Sequence, residues 1–422
     1  MKAVKHILSN GLRAVLVPRA DAVATNVLVL VEAGSKYETS KISGLSHFLE
    51  HMCFKGTKQR PKAIDISSEL DSMGASYNAF TSQEYTGYYA TVQPKMADRA
   101  LDLIADMYLN PIFPKAEVEK EKGVIVEEIN MYEDLPIRQA QDLFMELVYG
   151  DQPVGWNIVG TKEIVRSMKR NDFINYRSKH YVASATTVIV AGKFNQTKTL
   201  RRIEAVFKNI SDDVKQDKLA VVEKQAGPRL MVKTKSSDQT HCVLGFRSYP
   251  LGHPEEYPLE VLAAALGGGM SSRLFRRIRE QMGAAYYIRA FQDSYTDNGL
   301  LNISVGADTK RALEIIKAVV EECAKLRDKA LPAAELRRVK DSMIGNLFLS
   351  LEGASSIGLF YGMQELLRQK LRSPQQIAKK IEAVTAADVR RVAKQIFAKD
   401  KINLAMVGPA VEQKKFARAL AL

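Results

Sequence analysis

Residues 44–57 read GLSHFLEHMCFKGT, and within this stretch His47, Glu50 and His51 are side chains that can do chemistry together. On a helix, positions i and i+4 lie one above the other, so both imidazoles point the same way and can reach one zinc ion. Glu50 stands three residues from His47 and next to His51, at the side of that face. A carboxylate there can reach water held by the metal. Zinc lowers the pKa of its water to about 7, and the carboxylate takes the proton as the water attacks a carbonyl. The plain alternative is a helix with two partly buried histidines and an exposed glutamate.

A catalytic zinc wants a third protein ligand and one open position. The segment after Pro114, KAEVEKEKGVIVEEINMYEDLP, offers Glu117, Glu119, Glu121, Glu127, Glu128 and Glu133. Acidic residues on a helix are ordinarily solvated surface, so composition alone does not choose among them. Gly267-Gly268-Gly269-Met270-Ser271-Ser272 lacks the Lys-Ser/Thr of a phosphate loop and reads as a turn between helices. His180 and His241 lie outside any ligand spacing and read as structural.

The elements that must position these residues fall into two halves. The chain opens on a strand, a turn at Ser9-Asn10-Gly11 and a second strand, a β-hairpin. In the first half, Thr91-Val92-Gln93-Pro94-Lys95 precedes the amphipathic ADRALDLIADMYLNPIF, and Pro114 then opens another helix. In the second, Ser304-Val305-Gly306-Ala307-Asp308 precedes KRALEIIKAVVEECAKL, and Pro332 opens the matching helix. Each half closes on helix-forming sequence and an apolar strand, Thr187–Ala191 and Ile402–Val407. The pattern is an internal repeat. It predicts an α+β fold of two related domains, each a largely antiparallel sheet with helices on one face. The expected boundaries are 1–212, a polar linker at 213–228, and 229–422. Aligning Pro114 with Pro332 sets Val339 against Glu121 and Asn346 against Glu128, and Tyr257–Leu266, opposite the His motif, has no histidine. The His motif belongs to the first half alone.

The bulk numbers narrow the class. The 422 residues are too many for one core, and 46% hydrophobic with 26% charged residues is ordinary for a globular protein. Cys53, Cys242 and Cys323 form no CxxC pair, which fits a reducing compartment. No signal-like or membrane-length apolar run is seen, so a soluble, cytoplasmic protein is expected, with no membrane partner. The net charge of +13 sits in the second half, where 34 basic residues face 23 acidic ones, against 27 and 25 in residues 1–212. It is spread over helical segments such as Arg276–Glu280, a solvated face rather than a nucleic-acid surface.

HFLEHMCFKGT, SYNAFTSQEYTGYYATV and EKEKGVIVEEINMYEDLP together resemble the pitrilysin–insulysin–mitochondrial processing peptidase family of inverted-motif zinc peptidases. Length, the two-half plan and GGGMSSRLFRRIREQMGAAYYI resemble its short, processing-peptidase-like branch. The resemblance covers nearly the whole chain. It implies a zinc endopeptidase acting on peptides or unfolded segments, with one Zn2+ per chain held by His47, His51 and Glu128. Glu50 would be the general base, and Glu121, two turns before Glu128, would support the site. The family places its third ligand where Glu128 stands, 77 residues beyond His51, with Glu127 the neighbouring alternative.

The resemblance also implies that Ser76–Thr81 is an edge strand that pairs with the substrate backbone, through Asn78, Ala79 and Phe80. Arg279 and Tyr286 would face the scissile carbonyl, with Arg277 and Tyr287 as near-equivalent alternatives. Short members work as dimers, so a homodimer is expected, or a heterodimer with a related subunit. A catalytically silent partner subunit of the same fold is the other reading, which the intact motif residues oppose.

Overall fold

The computed structural model describes residues 2–421. The expected hairpin opens the chain. Strand β1 (Val4–Ile7) pairs antiparallel with β2 (Arg13–Pro18), and Asn10 Oδ1 accepts the Leu12 amide in the turn. Strands β3 (Thr25–Val31), β4 (Ser76–Thr81), β5 (Thr86–Val92) and β6 (Thr186–Gly192) complete a six-stranded sheet of order β1-β2-β6-β3-β5-β4. A second sheet contains β7 (Arg229–Thr234), β8 (Thr240–Ser248), β9 (Ala285–Ser294), β10 (Gly299–Ala307) and β11 (Ile402–Gly408), in the order β7-β11-β8-β10-β9. Each sheet has one parallel pair, β2–β6 and β7–β11, and is otherwise antiparallel. Leaving β1 aside, the two orders are the same, so the repeat in the sequence is a repeat of topology.

The chain forms two compact units, and they are interleaved in sequence. One contains Met1–Ile129, Asn157–Leu219 and Phe348–Ser373, the other Asn130–Trp156, Ala220–Leu347 and Pro374–Leu422. This differs from the expected split into 1–212 and 229–422. The reason lies in the strands. β3 (TNVLVLV) and β6 (TTVIVAG) are buried at every position, so both faces of their sheet need cover.

In the first unit, helix Ala97–Leu109 covers one face. Its Tyr108 packs on Tyr88 and shares a 2.6 Å hydroxyl hydrogen bond with Thr186. The other face is covered by helix Ala354–Arg368, drawn from the second half of the sequence. That helix comes so close at Gly358 that a Cβ there would stand 2.4 Å from Asn26 Oδ1. Its fully buried Glu365 meets Lys5 Nζ at 2.6 Å and Arg13 Nη1 at 3.8 Å.

The second unit mirrors this. Helices Glu256–Gly267, Ala312–Asp328 and Ala386–Ile396 pack on the Leu244, Phe246, Ile303 and Met406 face. Helix Pro136–Tyr149, from the first half, packs Ala140, Phe144 and Leu147 on the Val243, Leu300, Ala405 and Val407 face. Each half therefore keeps its own helices on one face of its sheet, and the opposite face is closed by a helix lent by the other half. Among the described residues, no single helix is long and apolar enough to cross a membrane.

A fragment ending at residue 212 lacks helix Ala354–Arg368. Uncovering even ~400 Å² of apolar sheet costs about 10 kcal/mol, comparable with the whole stability of a domain. Residues 1–212 alone are expected to show no cooperative thermal transition by circular dichroism, and residues 1–219 joined to 348–373 to regain one. A sharp melt of the 1–212 fragment would mean that the lent helix is dispensable.

Candidate metal centre

The His motif forms helix Leu45–Met52, entered through Gly44 at φ +93°. A Cβ at Gly44 would collide with the Val159 carbonyl, 2.6 Å away, so only glycine makes this entry. The first amides of a helix have no intrahelical partner. Here the buried Glu38 carboxylate takes two of them, the Gly44 N–H at 2.7 Å and the Ser46 N–H at 2.6 Å. Burial pushes this carboxyl up to about 8, against the pull of those two amides. Ser46 Oγ shares a 2.8 Å hydrogen bond with Tyr176, whose hydroxyl also donates to Gly34 O, and Phe48 packs edge-on against Phe173.

The second element is helix Lys115–Asp134. Its buried face carries Val118, Glu121, Ile125, Val126 and Ile129, while Glu127 is exposed. Glu121 and Glu128 are seven residues apart, two turns along one side. Glu128 Oε2 lies 3.6 Å from His47 Nε2 and 3.7 Å from His51 Nε2, and the two imidazole rings meet edge to face at 4.6 Å. Among the described residues these three side chains form the one cluster of metal-binding type.

Two imidazoles and a carboxylate suit a catalytic zinc, and ligands of a tetrahedral zinc stand about 3.4 Å from one another. The donor atoms fit such an ion closely. The electrostatics agree. Burial, then the charge of His51, lowers His47 to about 4 against the pull of Glu128, so its lone pair is available at neutral pH. Burial also pulls His51 down, but its hydrogen bond to Glu121 and the neighbouring carboxylates outweigh this and raise it.

Glu121 accepts from His51 Nδ1 at 2.9 Å through Oε1, and its Oε2 meets Lys55 Nζ at 2.7 Å. Burial raises the Glu121 carboxyl, yet the hydrogen bond from His51 and the pairing with Lys55 prevail and lower it. Glu50 is raised by burial, the largest influence, although Thr81 Oγ1 donates to its Oε2 at 2.5 Å. Thr86 gives its own proton to Ala33 O, so the Thr81 hydroxyl is left to serve Glu50. The loop before the motif helix also ties to the β4–β5 turn. Ser35 N–H donates to Ser82 O, Lys36 N–H to Gln83 O, and Lys36 pairs with Glu84 in a fully buried contact of 2.9 Å.

β4 stands at the sheet edge, as the family resemblance implied. Strand alternation puts Ala79 and Thr81 on one face and Asn78 and Phe80 on the other. Thr81 marks the first as the Glu50 face. The Phe80 side chain lies instead across Gly87, beside Tyr85 and Tyr89, and Asn78 Oδ1 accepts its neighbour's amide. At Asn78 and Phe80 the strand therefore presents backbone rather than side chain on the Glu50 side.

Arg279 and Tyr286 belong to the second unit. Arg279 lies in a single π-helical stretch, Phe275–Gln281, donates to Ala285 O at 2.9 Å and sits 5.7 Å over the exposed Tyr286 ring. The alternatives are engaged elsewhere: Arg277 pairs with Glu321 and Glu322, and the Tyr287 hydroxyl with His241 Nδ1. His180 is packed between Tyr37 and Tyr176 and lowered to about 4 by burial, a structural histidine.

Sequence reasoning missed Glu38, Lys55 and Thr81. Two of them left a signal. Lys55 continues the four-residue step of His47 and His51, and Thr81 shares the face of Ala79.

Comparison with known proteins bears on both the family and the fold. Residues 13–162 match the profile of insulinase (peptidase family M16), and residues 167–343 that of the peptidase M16 inactive domain. The uncharacterized zinc protease YmxG of Bacillus subtilis is 35% identical over 406 residues, covering 96% of this chain and 98% of its own. An uncharacterized zinc protease of Rickettsia felis is 34% identical over 405 residues, covering 95% and 96%. Among solved structures, a protease from Helicobacter pylori shares the fold with a TM-score of 0.90 at 23% identity, over 97% of this chain and 99% of that one. A peptidase M16 inactive domain from Pseudomonas fluorescens does so with a TM-score of 0.90 at 16% identity and the same coverage.

Proposed function

Because the chain belongs to the insulinase family, peptidase family M16, we propose that it is a zinc-dependent endopeptidase hydrolysing peptides or unfolded segments. The observation that carries this reading is the convergence of His47 Nε2, His51 Nε2 and Glu128 Oε2, with Glu50 on the same helix as the histidines. A zinc ion held there supplies the Lewis acidity that polarises a carbonyl and acidifies water. Glu50 takes the proton of the attacking water and returns it to the leaving amine. Thr81 holds one oxygen of that carboxylate, which leaves the other for the proton. Burial, by raising Glu50, suits a group that must both accept and give back a proton. The open edge of β4 offers main-chain pairing to an extended peptide, which tolerates many sequences.

A silent subunit would have no need of the full set of His47, Glu50, His51 and Glu128 together. The test is hydrolysis of a mixed peptide library by zinc-loaded protein, read by mass spectrometry. Cleavage should stop with a chelator and return with zinc. A zinc-loaded chain that cuts nothing in the library would overturn the proposal.

A further inference from the structure

We propose that Lys55 is a positioning residue of the metal centre, which holds Glu121 and through it the ring of His51; this rests on reading His47, His51 and Glu128 as zinc ligands.

The two histidines are supported unequally. Among the described residues His47 Nδ1 is buried without a hydrogen-bond partner, and its position rests on its backbone, which Glu38 pins through the Gly44 and Ser46 amides. His51 is placed through its ring, because Glu121 Oε1 accepts from Nδ1 and so leaves Nε2 toward Glu128. That service depends on the Glu121 carboxylate keeping one orientation. Glu121 is only 3% exposed, and a buried carboxylate is costly unless its oxygens are hydrogen-bonded or paired. One of its oxygens is spent on His51. The other is paired as an ion with Lys55 Nζ at 2.7 Å, a charge contact rather than a well-aligned hydrogen bond.

The spacing explains how a lysine reaches this place. His47, His51 and Lys55 step by four along one segment, and Glu121 and Glu128 step by seven along the other. The contacts run Lys55–Glu121–His51–Glu128–His47, so the two segments mesh antiparallel as one ladder. Lys55 is its last rung. It follows the motif helix at once and is tied back by its own amide to Met52 O, so it moves with His51. Its side chain is 23% exposed, which makes removing it far gentler than removing Glu121.

The test measures zinc affinity of the full chain by competition with a chromophoric chelator, independent of any hydrolysis. Lys55→Met should weaken zinc binding by about 10-fold, the low end of the loss usual when a ligand's direct partner is removed, and Lys55→Arg should recover most of it. If Lys55 acts through Glu121, the same Lys55→Met change made in a Glu121→Gln background should cost almost nothing further. A general loss of folding would instead move the metal-free melting temperature and appear in both backgrounds. Wild-type affinity in Lys55→Met, or fully additive losses in the double variant, would overturn the assignment while leaving the zinc site in place. A wild-type chain that binds no zinc would overturn both.

Discussion

Glu128→Ala protein is expected to leave purification without zinc and to cut no peptide, while Glu127→Ala, one position away, keeps both. The two side chains are about 100° apart around the helix. Glu127 is exposed, whereas Glu128 Oε2 lies within 3.7 Å of both imidazoles. Removing it leaves two nitrogens, and a catalytic zinc site needs three protein ligands. His47→Ala should behave like Glu128→Ala. Metal content by plasma mass spectrometry decides the matter, and zinc retained by Glu128→Ala but lost from Glu127→Ala would show that the third ligand is misassigned.

The second large effect belongs to Glu50. Glu50→Gln should hold zinc as the wild type does and lose hydrolysis by ~10²–10⁴-fold, the usual contribution of a general base. The amide keeps the size of the carboxylate and still accepts the Thr81 hydroxyl, so the local packing stands. What it lacks is an oxygen able to take a proton. The loss should therefore fall on kcat, with KM nearly unchanged. Peptide hydrolysis at a near wild-type rate by the glutamine variant would remove Glu50 from the mechanism.

The site and the fold were readable in the sequence to different depths. His47, Glu50 and His51 announce themselves because the i, i+4 rule is local: one helix is enough to bring the imidazoles together. Choosing Glu128 among six glutamates was not local, and the choice rested on the family resemblance. Glu38 left little to read. It caps a helix from six residues before Gly44, whereas the usual capping residue adjoins the helix it serves. The repeat foretold two related sheets, but with helices on one face only; the fully apolar β3 and β6 show instead that both faces of the first sheet are covered. Which helix supplies the cover is written nowhere near those strands. Helix Ala354–Arg368 carries Gly358 and Glu365 to match Asn26, Lys5 and Arg13, and only the assembled sheet gives those residues meaning.

The exchange of helices between the halves also sets a timetable for synthesis. By the time Leu219 has left the ribosome, every strand of the first sheet has been made, yet the helix that closes its second face ends more than 140 residues later. At ~5–20 residues per second, that sheet waits on the order of ten seconds with β2, β3 and β6 open to water on one side. An apolar, half-finished sheet is the kind of surface on which nascent chains stick to one another and which chaperones hold. The unit that holds His47, His51 and Glu128 is therefore completed late, although those residues are made early, and a metal site there would wait until almost nine-tenths of the chain has emerged.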